Sequence, residues 1–383
     1  MSAPSRTTGR YETLDAWRGL ACLSVVLFHA VGRYLDASHD GPLCAPLRWA
    51  DAFGWLGVPL FFTISGLCIA AAATDRAAGV RPREAFFRRR FRRIVPTLWL
   101  SLAFAAAIGL TGRALAAAGI SNGLWDLTAI GWHWITNVTL LEEPVRLFRV
   151  EPQYVNAPTW SLCYEAQFYA FMGLAVVARS RRAVVGAVAA LSLASIAMPA
   201  WLGATRAGLL TDVGPLFLAG IWVHLRAQAG TASGRRRLDG AWAGVVAGVV
   251  AAYAVRTGRL GQDAKQVLIC AGFAALLVAL RAQDARLAPH PVVRALRAVG
   301  RRSYTIYLFH FPVVISLGDT LFTVGATQGA RLYAMAAATS ATAIALAWVL
   351  YPIVERPFSA PPVRSEPGPA NSTPSQRNRT AGI

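Results

Sequence analysis

The chain has 383 residues, of which 55% are hydrophobic and only 15% charged, and its mean hydropathy is +0.43. That balance excludes an ordinary soluble domain and points to a membrane protein. The formal charge of +19 does not mark a nucleic-acid binder, because the arginines fall in short clusters between apolar runs, the way membrane topology is signalled.

Ten apolar runs follow one another at roughly 14–33, 51–73, 94–112, 158–178, 183–202, 207–225, 241–256, 266–282, 303–324 and 332–354. Most approach the ~20 residues that a membrane-crossing helix needs, so the expected fold is an all-α bundle of about ten transmembrane helices. Arg6 and Arg10 precede the first run without a small-residue cleavage site, and this run reads as a retained helix rather than a signal peptide. With the N-terminus inside, the inner segments hold 28 of the 38 Lys and Arg residues, so both termini are expected in the cytoplasm of a multi-pass cell-membrane protein. Residues 1–358 are expected to form the membrane-embedded domain. Residues 359–383, rich in Pro, Ser, Asn and Arg, read as a disordered cytoplasmic tail. Cys22, Cys68, Cys163 and Cys270 lie in apolar runs and Cys44 stands alone in a loop, which makes no disulfide framework. No His, Cys, Asp and Glu spacing suits a metal. Lys265 is the only lysine, a bias that suggests a GC-rich bacterial coding sequence.

The first run carries ionisable groups near both ends. In a helix, Arg18 and His29 lie within about 20° of one face and about 16 Å apart along the axis, and Asp15 is spaced to pair with Arg18. Such groups in a lipid-bound helix face a bundle interior or a wet cavity. An interfacial arginine and a buried, hydrogen-bonded histidine are the plainer account.

Four further stretches place polar groups at membrane depth. In FFTISG, from Phe61 to Gly66, the Ser65-Gly66 pair offers close backbone approach or a hydroxyl facing a cavity. The run Arg88, Arg89, Arg90, Arg92 and Arg93 ahead of Pro96 exceeds what orientation requires. Guanidinium forks suit phosphate, whether of a ligand or of anionic lipid. Trp160, Ser161 and Glu165 open the fourth run behind Pro158-Thr159, with Glu165 deep enough to need a positive partner; an interhelical salt bridge would satisfy it. Tyr304, Tyr307 and His310 recur every third residue as a polar stripe, for helix packing or for chemistry. Between the third and fourth runs, Trp125, Trp132 and Trp134 suit headgroup anchoring or ligand stacking.

Together these stretches resemble the acyltransferase 3 family of multi-span membrane O-acyltransferases. Arg18 and His29 are similar to its arginine, ten residues, histidine signature, and FFTISG to its second-span motif. Arg90 and Arg93 ahead of Pro96 look like its paired arginines, and WSLCYEAQFY, from Trp160, like its tryptophan-serine-leucine and glutamate motif. SYTIYLFHFP, from Ser303, and Val354-Glu355-Arg356-Pro357 are also similar, so the likeness runs in order from about residue 11 to 358. Ala170, where many relatives have a larger apolar residue, is a small departure.

The resemblance implies transfer of an acyl group, usually acetyl, from acyl-coenzyme A to a hydroxyl, most often of a cell-surface glycan. A small-molecule acceptor such as a macrolide-type antibiotic is the second choice. Many relatives carry a fused extracytoplasmic hydrolase-like domain, which this chain does not show. His29 would serve as general base, since an imidazole titrates near neutrality, with an acyl-histidine intermediate left open. Arg18 would orient the donor or offset developing negative charge. Arg90 and Arg93, with Arg89 beside them, would hold coenzyme A phosphates, and Ser65 would line the pantetheine route. Glu165 would orient His29 or contact the acceptor, and Asp15, Trp160, Ser161, Tyr304, Tyr307, His310 and Glu355 would support the site. Two rivals belong to other classes. A secondary transporter would favour repeated halves with interrupted helices, which are not seen here. A non-catalytic partner in polysaccharide assembly would not need the arginine pair and His29 together. The expected partners are acyl-coenzyme A, a hydroxyl acceptor and membrane lipid, with no nucleic acid and the oligomeric state left open.

Overall fold

Long apolar segments must satisfy their backbone N–H and C=O groups internally, and helices do so. The computed structural model describes residues 11–35, 42–74, 82–119, 131–177, 181–202, 207–257, 261–323 and 329–359, and all regular structure among them is helical. The helices in chain order are α1 (Leu14–Val31), α2 (Ala45–Gly54), α3 (Gly57–Thr74), α4 (Pro82–Ala117) and α5 (His133–Thr139). Then come α6 (Thr159–Val177), α7 (Arg181–Leu202), α8 (Gly214–Gln228), α9 (Ala232–Thr257) and α10 (Gln262–Leu280). The chain closes with α11 (Asp284–Leu287), α12 (Pro291–Gly300), α13 (Ser303–Thr323), α14 (Ala330–Val354) and α15 (Arg356–Ser359).

Six of these helices, among the described residues, are long and apolar enough to cross a membrane: α1, α4, α9, α10, α13 and α14. Counting α2 and α3, bent by 41°, as one broken span makes seven. Two of the others, α8 and α6, fall short for physical reasons. α8 has 15 residues, or about 22 Å, against a hydrocarbon core of about 30 Å, and every residue from Gly214 to Ile221 is buried inside the bundle. α6 carries Ser161, Glu165 and Gln167, which dilute its hydropathy.

Two boundaries depart from the apolar pattern. The run starting at 51 is broken after Gly54, so its first residues belong to α2. α4 begins at Pro82, well before the apolar run at 94, so Arg88 to Arg93 lie on the helix itself rather than on the chain entering it. The expected tail lies outside the described residues from 360 onward, as does Trp125.

Glycines set the closest helix contacts. A Cβ on Gly66 would come within 2.1 Å of the Phe217 carbonyl oxygen, and one on Gly220 within 1.8 Å of that of Thr63. α3 and α8 therefore touch backbone to backbone, as small residues permit in membranes. Beside this contact Phe217 stacks on Phe168 with ring centres 4.1 Å apart and meets Phe62 at 4.8 Å. A second core joins α1, α13 and α14 through Val26, Ile306, Val314, Met335 and Ala343.

Candidate functional site

Side chains from five helices converge in a cavity of about 80 Å³ near the arginine-rich end of the bundle. α1 supplies Arg18, α3 Ser65, α4 Arg93, α6 Glu165, and α13 Tyr304 and Tyr307. Arg18 donates to Asp15 Oδ1 at 3.1 Å, the pairing read from their spacing, and to Cys68 Sγ at 3.1 Å. Ser65 donates to Glu165 Oε1 at 2.7 Å, and the Tyr169 hydroxyl donates to the same oxygen. The FFTISG stretch thus does both things its residues allow, with Gly66 meeting α8 and Ser65 facing the cavity. Arg90, one helical turn before Arg93, lies over the Tyr169 ring at 5.2 Å. Arg89 is exposed on α4 and does not line the cavity. Arg18 and Arg93 bring guanidinium groups to the cavity beside Glu165, and Asp15 pairs with Arg18, so cations and carboxylates are mixed there. The guanidinium forks have the geometry to bind an anionic group.

His29 lines a second, larger cavity of about 260 Å³, with Phe28, Trp55, Trp160, Gln262 and Gln266 around it. Its ring is held from behind. His310 Nδ1 lies 2.7 Å from the Tyr307 carbonyl oxygen, so this nitrogen carries the proton and His310 Nε2 is an acceptor when the ring is neutral. His29 Nδ1 lies 3.1 Å from that Nε2 and 3.1 Å from the Val25 carbonyl oxygen. Two acceptors on one nitrogen require that it bear the hydrogen. For neutral rings this bonding assigns the remaining nitrogen of His29, Nε2, the bare lone pair. The partner orienting His29 is His310 and not Glu165, which lines the other cavity.

The two cavities share Val58, Phe62 and Tyr307. Ser161 donates to the Pro158 carbonyl oxygen at 3.1 Å, which leaves its oxygen to accept from the Tyr307 hydroxyl at 2.8 Å. The polar stripe of α13 thereby reaches three neighbours. Tyr304 donates to the Ile94 carbonyl oxygen of α4 at 2.9 Å, Tyr307 meets α6, and His310 meets α1. Trp160 lines the His29 cavity, whereas Ser161 lines the Arg18 cavity. Glu355 stands at the start of α13, accepting from Thr305 N at 3.1 Å and Thr305 Oγ1 at 2.6 Å. A carboxylate there completes the orphan donors of the helix N-terminus. Burial pushes its carboxyl above the ordinary carboxylate range, while Thr305 and Arg93 pull it down.

Sequence reading missed several residues. Cys68 on Arg18 and the Gln262 and Gln266 pair gave no motif, although two amides one turn apart at the start of an apolar helix mark one polar face. Glu142 and Glu143 were also overlooked. Glu142 is fully buried and accepts from Cys163 Sγ at 2.7 Å and Thr159 Oγ1 at 3.0 Å. Burial raises its carboxyl to about 7, with neighbouring Glu143 adding to the rise. Glu143 accepts from Arg146 and Tyr164, each at 3.1 Å, and from Tyr154. This cluster fastens the loop after α5 to α6. Next to it, α5 and its flanks expose Trp132, Ile135, Val138 and Leu141, an apolar row suited to the headgroup level.

A family model described as an acyltransferase domain matches residues 11–351. No curated protein and no solved structure matches the chain.

Proposed function

The chain belongs to this acyltransferase family, and with membership as the premise we propose a specific reaction: an O-acyltransferase that moves an acetyl group from acetyl-coenzyme A to a hydroxyl of a glycan. It is a membrane acyltransferase carrying helices able to cross a bilayer. The finer reading is a ten-span bundle in a bacterial cell membrane with both termini in the cytoplasm. The count of 28 of 38 basic residues on one side supports it.

One observation carries the mechanism: the hydrogen-bond chain from Tyr307 through His310 that leaves His29 Nε2 as a proton acceptor. In this reading coenzyme A enters at the arginine-rich end. Arg90 and Arg93 hold its phosphates, with Arg89 at the mouth, and Ser65 lines the pantetheine route. The hydroxyl acceptor enters the His29 cavity from the opposite end. His29 Nε2 takes the hydroxyl proton as the oxygen attacks the thioester carbon. The tetrahedral intermediate collapses with cleavage of the carbon–sulfur bond, the acyl group stays on the acceptor oxygen, and the imidazolium returns its proton to the departing sulfur. Arg18 stands about 16 Å from His29 along α1. That separation favours donor orientation over stabilising charge at the reacting carbon.

The acceptor side suits a sugar. Trp55 and Trp160 offer flat apolar faces, and Gln262 and Gln266 offer both donors and acceptors to ring hydroxyls. A volume of about 260 Å³ lies below the roughly 300–1,000 Å³ of pockets for drug-sized ligands. One monosaccharide unit fits that space better than a macrolide body. The test incubates purified protein with acetyl-coenzyme A and a panel of methyl hexosides or a macrolide aglycone. Acetylated hexoside supports the proposal; acetylation of the aglycone alone transfers the assignment to small-molecule acceptors.

A further inference from the structure

The two cavities meet at one place, and the residues there are held from all sides. Val58 follows Gly57, whose Cβ position lies 2.2 Å from the Ala21 carbonyl oxygen, so the start of α3, which carries Val58, is pressed against α1. Phe62, one turn further along α3, is 4% exposed and packs against Phe217 with ring centres 4.8 Å apart. Tyr307 is anchored through its hydroxyl to Ser161 and through its ring to Phe61 at 5.7 Å. Packed side chains of this kind form a wall of set dimensions rather than a swinging gate.

From this we infer that Val58, Phe62 and Tyr307 form a fixed constriction that sets the length of the acyl group the protein transfers, admitting two-carbon acyl groups and excluding long ones. The inference rests on the proposed donor and acceptor sides, because only then must the acyl carbonyl cross from the Arg18 cavity to His29. With coenzyme A on the arginine side and the attacked carbon beside His29, every added methylene has two places to go. It lies against Val58 and Phe62, or it takes space from the acceptor within about 260 Å³. An extra methylene in a closely fitting apolar site changes discrimination by about 10- to 200-fold. The wall therefore has ample leverage over chain length.

The experiment compares coenzyme A thiol release from acetyl-, propionyl-, butyryl- and hexanoyl-coenzyme A by the purified full-length protein in lipid nanodiscs, with the panel of methyl hexosides present as acceptors. Wild type is set beside Val58→Ala, which opens the wall, and Val58→Ile, which narrows it by one methylene. The readout is the ratio of each acyl donor to acetyl-coenzyme A within one preparation, so differences in folded fraction cancel. Wild type should prefer acetyl- over hexanoyl-coenzyme A by at least about tenfold. Val58→Ala should raise the butyryl-to-acetyl ratio about tenfold, and Val58→Ile should lower the propionyl-to-acetyl ratio. Ratios that match wild type in both variants overturn the constriction while leaving the acyltransferase assignment standing. Absence of release from any acyl-coenzyme A by wild type overturns the donor assignment itself, and the constriction with it.

Discussion

His310 Nε2 lies 3.1 Å from His29 Nδ1, across a sequence separation of 281 residues. α1 brings one ring and α13 the other, and the Tyr307 carbonyl fixes the tautomer of the pair. A lone histidine on an apolar helix would be free to carry its proton on either nitrogen. Here the bonding favours the base-competent form.

Replacing His310 should therefore impair chemistry rather than donor binding. His310→Ala is expected to lower kcat about 100-fold, the lower range for general-base catalysis, with the KM for acetyl-coenzyme A within about twofold of wild type. His310→Asn should recover part of the loss, because its amide oxygen can accept from His29 Nδ1. A parallel rise in KM for the donor would show that His310 holds the fold instead of His29. Steady-state kinetics of the three proteins make the comparison.

Gly66 gives the packing argument its sharpest test. Gly66→Ala puts a methyl group 2.1 Å from the Phe217 carbonyl oxygen and must force α3 away from α8. A loss of about 3 kcal/mol or more is expected from such overpacking. Gly244, within α9, meets nothing within 4 Å, and Gly244→Ala should be neutral or stabilising by up to about 1 kcal/mol. Thermal unfolding in one detergent separates the two. Equal melting temperatures for Gly66→Ala and wild type would contradict the contact.

The Glu142 cluster predicts a pH dependence of stability. Folded, Glu142 keeps its proton up to about pH 7; unfolded, it releases it near its ordinary value of 4.5. The folded state thus binds more protons between those values, and stability falls as pH rises through that window. Below it the group carries no penalty, and above about 7 it carries the whole of it. Glu142→Gln cannot ionise but still accepts from Thr159 or Cys163. The drop in melting temperature between pH 5 and pH 8 should shrink in this variant. Identical slopes would remove Glu142 from the account.

Much of the helical pattern was legible in the residues, because apolar length and arginine clustering act locally. The Asp15–Arg18 pair needed only helix periodicity, and so did the stripe of Tyr304, Tyr307 and His310. What that stripe touches was not legible, since its partners belong to α4, α6 and α1. Glu165 illustrates the limit. Its depth in α6 was readable, but its bond to Ser65 rather than to His29 depends on how α3 and α6 pack. The start of α4 was hidden for another reason: charged residues from Arg88 to Arg93 interrupt the apolar signal while remaining good helix formers. Glu142 carried no motif at all, and its bonds to Thr159 and Cys163 depend on how the loop packs on α6.

In the proposed reaction, donor binding and proton transfer reside in separate places, at Arg90 and Arg93 and at His29. The test is to titrate purified wild type, His29→Ala and Arg90→Ala/Arg93→Ala with acetyl-coenzyme A and to follow thiol release with the methyl hexoside panel present. The double arginine variant should lose at least about tenfold in donor affinity, consistent with removal of two charge-assisted phosphate contacts. His29→Ala should bind as wild type does while release falls about 100-fold or more. Wild-type release from His29→Ala would contradict the assignment of the base. Failure of wild type to bind acetyl-coenzyme A would contradict the account as a whole, and substrate-driven flux in vesicles would then identify a transporter.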